Sequence, residues 1–75
     1  MLLSERENRI LDFLVRDFIS TAEPVSSLRI RKGLKLKESP ATIRNIVAEL
    51  DDEGFCDQPH VSSGRVPTDT AYRYF

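Results

Sequence analysis

Ser39-Pro40-Ala41-Thr42-Ile43-Arg44-Asn45-Ile46-Val47-Ala48-Glu49-Leu50-Asp51-Asp52-Glu53-Gly54-Phe55 is the stretch that decides how this 75-residue chain folds. Ser39 is a favoured N-cap, and Pro40 falls at the first helical position, where its missing N–H is no loss. Ile43, Ile46, Val47 and Leu50 recur at i, i+3, i+4 and i+7, a complete inward stripe. Gly54 suits the left-handed residue that closes such a helix. On the outward face stand Ala41, Asn45 and Ala48, with Thr42 and Arg44 on its shoulders. Two alanines leave that face slim enough to approach the floor of a groove. Asn can pair with an adenine edge, and Arg with guanine or phosphate. The amides of residues 39–42 and the positive end of the helix suit a phosphate. Glu49, Asp52 and Glu53 crowd the far end, so the N-terminal half is the one expected to enter a groove.

Working outward, Ser4 and Glu7 form an S-x-x-E capping box ahead of a first helix. Ile10, Leu11, Leu14 and Phe18 make its stripe, widened by Phe13, Val15 and Ile19, and Pro24 stops it. Pro24-Val25 is expected to be extended, as a short edge strand. A second helix is expected from Ser26 or Ser27 to Lys32, with Leu28 as its anchor and Gly33 at its end. After the third helix, residues 55–58 predict a strand, 59–65 a turn, and Val66 a returning strand that Pro67 cuts short. Gly64 is expected to supply positive φ at the turn's tip. Thr68-Asp69 opens a last helix through Tyr72, Arg73, Tyr74 and Phe75. The order predicts a mainly α chain with a small β-hairpin. That is a winged helix-turn-helix, a three-helix bundle plus wing, as one domain over residues 1–75.

Hydrophobic residues are 40% of the chain, enough for one small core and for no second domain. With one cysteine no internal disulfide forms. No apolar run approaches the ~20 residues of a membrane span, and Met1-Leu2-Leu3 is too short for a signal peptide. The chain therefore reads as cytoplasmic. Cys56 and His60 have no further Cys or His to complete a zinc set, and Cys56 reads as a small core residue. The acidic run Asp51-Asp52-Glu53 lacks the alternation of a calcium loop. Neither an enzyme's catalytic set nor a cofactor motif is present, so no catalysis, cofactor, metal or small-molecule substrate is expected.

The net charge of −1 conceals strong polarity. Residues 24–48 carry +5, residues 49–57 carry −5, and the flanks, 1–23 and 58–75, carry −2 and +1. Such separation steers a protein toward an anionic partner. In the basic segment Arg29, Lys32, Lys35 and Lys37 are candidate phosphate contacts. In the turn, His60, Ser62, Ser63 and Arg65 are candidate wing contacts: Arg65 along the backbone or in a minor groove, the serines as donors to phosphate. A solvated basic helix and an ordinary exposed hairpin would explain either feature alone. Their combination with the third helix favours double-stranded DNA, with Ser39, Ala41, Thr42, Arg44 and Asn45 on the reading helix.

One specific likeness sharpens this. Glu23-Pro24-Val25, Ser39-Pro40-Ala41-Thr42-Ile43-Arg44-Asn45, Leu50 with Glu53-Gly54-Phe55, Gln58-Pro59-His60, Ser63-Gly64-Arg65-Val66-Pro67-Thr68-Asp69 and Tyr72-Arg73 together resemble the N-terminal domain of the HrcA family, the heat-inducible transcription repressors of bacteria. The likeness spans nearly the whole chain. Ile46 stands where the family commonly has an acidic residue, and Cys56 where an aliphatic is usual. The resemblance implies Pro40–Asp52 as recognition helix and residues 60–65 as wing. It also implies a dimer on an inverted-repeat operator of chaperone operons, joined through a region outside these 75 residues. The expected function is sequence-specific repression of transcription. The alternatives are a winged-helix protein-interaction module and a non-specific DNA-binding regulator. Only Phe13, Ile19 and the Tyr72-Tyr74-Phe75 end are left as exposed apolar surface, too little for a dimer seam, so the free chain is expected to be a monomer.

Overall fold

Side-chain caps set where the helices begin. In a computed structural model of the chain, which describes residues 3–74, α1 runs Glu5–Thr21. The Glu7 N–H donates to Ser4 Oγ (3.1 Å) and the Ser4 N–H donates to Glu7 Oε1 (2.8 Å), the reciprocal box expected there. α1 stops at Ala22, left-handed at φ 58°, just ahead of Pro24. α2 runs Ser27–Leu34 behind Ser26, whose Oγ accepts from the Arg29 N–H (3.0 Å). α3 runs Pro40–Asp52, the bounds the resemblance implies, and starts behind Ser39 as its pattern predicts. Gly54 closes it at φ 87°.

Two short strands follow, β1 (Cys56–Asp57) and β2 (Val66–Pro67), paired antiparallel with Cys56 opposite Pro67. The last element, α4, runs Asp69–Tyr74. Thr68 links it back to α3, since its Oγ1 donates to the Gly54 carbonyl (2.5 Å) and accepts from the Ala71 N–H (3.4 Å). The fold is mostly helical with a two-stranded hairpin, a winged-helix-like arrangement. Val25 adds a third extended piece as an isolated antiparallel bridge to Arg65.

The buried residues form one cluster in which Ile10, Leu11, Leu14, Ile30, Ile43 and Leu50 are fully enclosed. Each such side chain contributes about 1.5–3 kcal/mol relative to exposure. The α3 stripe is buried at all four positions, Ile43, Ile46, Val47 and Leu50. Cys56 is fully buried, with Sγ 3.7 Å from the Val47 carbonyl. Burial pushes its thiol up to about 12, and the nearby Asp51 charge adds to the shift.

The structure corrects four expectations. Leu28 is not the anchor of α2. It is 53% exposed, and the anchor is the fully buried Ile30. Two residues along a helix is more than half a turn, so with Ile30 inside, Leu28 must face away. Gly33 does not end α2, which continues to Leu34 and closes at left-handed Lys35 (φ 54°). Gly33 instead makes room for the Phe13 ring, which a Cβ at that position would overlap. Phe13 is accordingly half-buried against the core rather than exposed. Gly64 does not carry the positive φ of the wing. Ser62 does, at φ 74°. Gly64 is needed for close approach, because a Cβ there would lie 2.5 Å from the Val25 carbonyl carbon. Ile19 and Tyr72 are exposed as expected, Leu28 and Val61 join them, and Phe75 lies outside the described residues.

Truncating Ile30 to Ala is expected to cost about 2–5 kcal/mol in urea unfolding. The same change at Leu28 should cost well under 1 kcal/mol, roughly the range of surface substitutions. Equal losses would contradict the assignment of α2's inner face. Cys56 should resist thiol reagents at pH 8 in the native state and react fully in denaturant. Its folded pKa is raised, so its contribution to stability is complete below its ordinary value of 9.0 and declines as pH rises toward about 12. Unfolding midpoints followed across that range against a Cys56→Ala control would test the sign.

Candidate nucleic-acid interface

The outward side of α3, the start of α2 and the hairpin turn enclose one open groove of about 620 Å³. Arg44, Asn45 and Ala48 of α3 form one wall, Ser26, Ser27 and Leu28 another, and Ser62, Ser63 and Arg65 the third. The wing is pinned there by the backbone. The Val25 N–H donates to the Arg65 carbonyl (2.8 Å), and the Arg65 N–H donates to the Val25 carbonyl (2.9 Å). The same Val25 leads into α2, so one bridge sets the distance between α2's start and the hairpin.

Sequence-predicted residues meet different fates in this frame. Arg44 and Asn45 are exposed and make no side-chain hydrogen bond or ion pair among the described residues. Their donors are open to a ligand. Ser39 and Thr42 are partly committed to the helix start. Ser39 Oγ accepts from the Thr42 N–H (3.2 Å) and lies 3.0 Å from Thr42 Oγ1. Pro40 has no N–H, which leaves the Ala41 amide as the open donor of that first turn.

In the turn, Ser63 builds the loop. Its Oγ lies 2.8 Å from the His60 carbonyl and 3.0 Å from that of Gly64, and it accepts from the His60 N–H (3.2 Å). Gln58 Nε2 donates to the Ser63 carbonyl (2.8 Å), adding a second tie. That hydroxyl has little capacity left for a phosphate, whereas Ser62 and the His60 ring are exposed and unpaired among the described residues.

The arginines divide into structural and free. Arg65 does not reach out from the wing. Its guanidinium folds back, with Nε 3.2 Å from Asp51 Oδ2, and only 19% of its side chain is exposed. That N–H is buried and not aligned on the carboxylate, so the contact is an ion pair rather than a hydrogen bond. Arg29 is held by Asp17 of α1 through Nε (2.6 Å) and Nη2 (3.1 Å), which raises its pKa above its ordinary value. Arg31 Nε donates to the Glu38 carbonyl (2.7 Å). The Glu38 carboxyl, taken by Arg6 at 3.0 Å, is held below the usual carboxylate range by that hydrogen bond.

Lys32, Lys35 and Lys37 are exposed and free of partners among the described residues. Lys35 and Lys37 do not line the groove. They belong to a second, shallower concavity of about 960 Å³ beside Arg6 and Arg9 at the start of α1. The basic segment thus splits across two faces. Ser26, Ser27, Leu28 and Gln58 are groove or turn residues that sequence reading missed. The signal for the first three was present, because Ser26 as N-cap places them at the α2 start that packs beside α3. Among the described residues no group of three or more His, Cys, Asp or Glu side chains could hold a metal, and no helix is long and apolar enough to cross a membrane.

No protein-family model matches the chain. The heat-inducible transcription repressor HrcA of Pelotomaculum thermopropionicum is 49% identical to it over all 75 residues. The chain is a homologue of the N-terminal part of HrcA. It spans 22% of that relative's length. HrcA of Carboxydothermus hydrogenoformans is 50% identical over 74 residues, again 22% of its length. A solved structure of a hypothetical protein superposes at TM-score 0.89 with 40% identity, over 96% of this chain and 23% of that one. A hypothetical protein of Sulfolobus solfataricus superposes at TM-score 0.79 with 25% identity, over 96% of this chain and 52% of that one. The HrcA likeness therefore covers every element that walls the groove.

The two groove arginines should behave oppositely in unfolding experiments. Arg65→Ala removes a largely buried side chain and leaves half-buried Asp51 without its partner, and is expected to lower stability by about 1 kcal/mol. Arg44→Ala should change it by less than about 0.5 kcal/mol. A loss at Arg44 matching that at Arg65 would show that Arg44 is a structural side chain.

Proposed function

We propose that this chain is the DNA-reading part of a transcriptional repressor and lays α3 in the major groove of double-stranded DNA. One observation carries the proposal: Arg44 and Asn45 stand unpaired among the described residues on the exposed face of α3, inside a groove whose other walls are the start of α2 and the wing. A major groove about 12 Å wide admits a helix, and these two side-chain types hold the donors and acceptors that distinguish guanine and adenine edges. The acidic end of α3, with Glu49, Asp52 and Glu53 exposed, points the N-terminal half toward the duplex. Lys32, Lys35 and Lys37 flank as phosphate contacts, joined by the Ala41 amide, Ser62 and His60. The relatives' name, heat-inducible transcription repressor, supports reading the bound DNA as an operator. Two copies on an inverted repeat would each read one half-site.

Arg44→Ala and Asn45→Ala should each weaken binding to a preferred duplex by about 1–3 kcal/mol and relax preference at one base position. Titration against matched and scrambled duplexes measures both. Undiminished affinity in either variant would remove that residue from the reading face. Neutralising Lys35 or Lys37 should instead weaken binding to every duplex alike, and reduce the slope of log K against log salt by about 0.9 for each phosphate that the variant no longer neutralises. An unchanged slope would mean that the second concavity lies away from the DNA.

A further inference from the structure

An exposed leucine at the mouth of a polar groove offers apolar surface that a matching apolar group on a bound partner can cover. Leu28 is such a residue. It is 53% exposed and lines the same groove as Arg44, Asn45 and Ala48. Its exposure is not a packing defect, because α2 is already anchored by fully buried Ile30 and by Leu34 against the core. The backbone gives it little freedom to turn inward. The Ser26 cap fixes the helical phase, with the Arg29 N–H on Ser26 Oγ at 3.0 Å and the Ile30 N–H on the Ser26 carbonyl at 3.1 Å. Arg29 beside it is clamped to Asp17, which holds the outer side of that turn. Half-buried Ala48 lines the groove too and is the second small apolar surface beside Asn45.

A polar reading face with an apolar corner has one matching feature in the major groove, the 5-methyl group of thymine. We infer that Leu28, backed by Ala48, is a base-reading residue that packs on a thymine methyl next to the base pair contacted by Asn45. This rests on the proposed DNA-reading role and adds to it a specificity that neither arginine nor asparagine supplies. The methyl is the only difference between thymine and uracil in that groove, so the contact can be isolated without disturbing any hydrogen bond.

The test uses a duplex recovered from a random library by this chain, together with copies in which each thymine in turn is replaced by uracil. For the unaltered chain, uracil at one or two positions should lower affinity roughly fourfold, the factor expected for burying one methyl-sized group. Leu28→Ala should abolish that discrimination at the same position, while Leu28→Met retains most of it. Both variants should keep the unaltered chain's unfolding midpoint and its salt slope. Indifference to uracil at every position, or discrimination that survives Leu28→Ala, would overturn the assignment while leaving DNA binding intact. Failure to recover any duplex would overturn the DNA-reading role itself, and this inference with it.

Discussion

Two backbone hydrogen bonds between Val25 and Arg65 hold together the parts of this molecule that its helices alone would leave apart. The hairpin is short, with two residues in each strand, and a two-stranded ribbon of that size is marginal in water. Tied to the segment that enters α2, it becomes the third wall of a groove. The approach is close enough to exclude any side chain at position 64, and glycine stands there. Fully buried Val25 secures the bridge from the core side, and the Arg65–Asp51 pair secures it from α3. Without this junction α3 would still pack through its stripe and β1 would stay buried at Cys56, but the turn would lose its tie to the start of α2.

Side-chain chemistry accounts for how the charges sort. Arginines are the residues that make planar, bidentate or partly buried contacts, while lysines are strongly hydrated point charges. Arg29, Arg31 and Arg65 are all engaged with Asp17, the Glu38 carbonyl and Asp51. Lys32, Lys35, Lys37 and Arg44 are left free among the described residues. The chain's net charge of −1 therefore understates the positive face that it shows a partner. Part of the acidic run at the end of α3 is internal: Asp51 serves Arg65, and Asp52 and Glu53 remain in solvent.

Local chemistry made much of this legible in advance. The Ser4–Glu7 box, the Ser39-Pro40 start and the four-residue stripe of α3 are short-range signals, and each element they specify lies where the pattern puts it. Capping and periodicity act within one or two turns, so they survive translation into structure. The exposed positions of Arg44 and Asn45 follow from that periodicity. The likeness to HrcA was legible for a related reason, since its motifs are runs of adjacent residues.

What tertiary structure alone decided are the contacts between segments distant in sequence. Nothing near Arg65 announces that it turns back to Asp51, fourteen positions earlier, rather than out toward a partner. Gly33 and Gly64 look like ordinary chain punctuation, yet they are spacers for the Phe13 ring and the Val25 backbone. Leu28 looks like an anchor because the helix expected up to Lys32 offers two apolar candidates two residues apart, Leu28 and Ile30. Only the packing of α2 against α1 and α3 selects Ile30. The sequence by itself determined the helices, their caps and the face that α3 turns outward, because those depend on neighbours a few residues away. The division of the cations into braces and free donors, and the corner of the groove where Leu28 lies, were decided by packing, because each depends on which surfaces the folded core brings within a few ångströms.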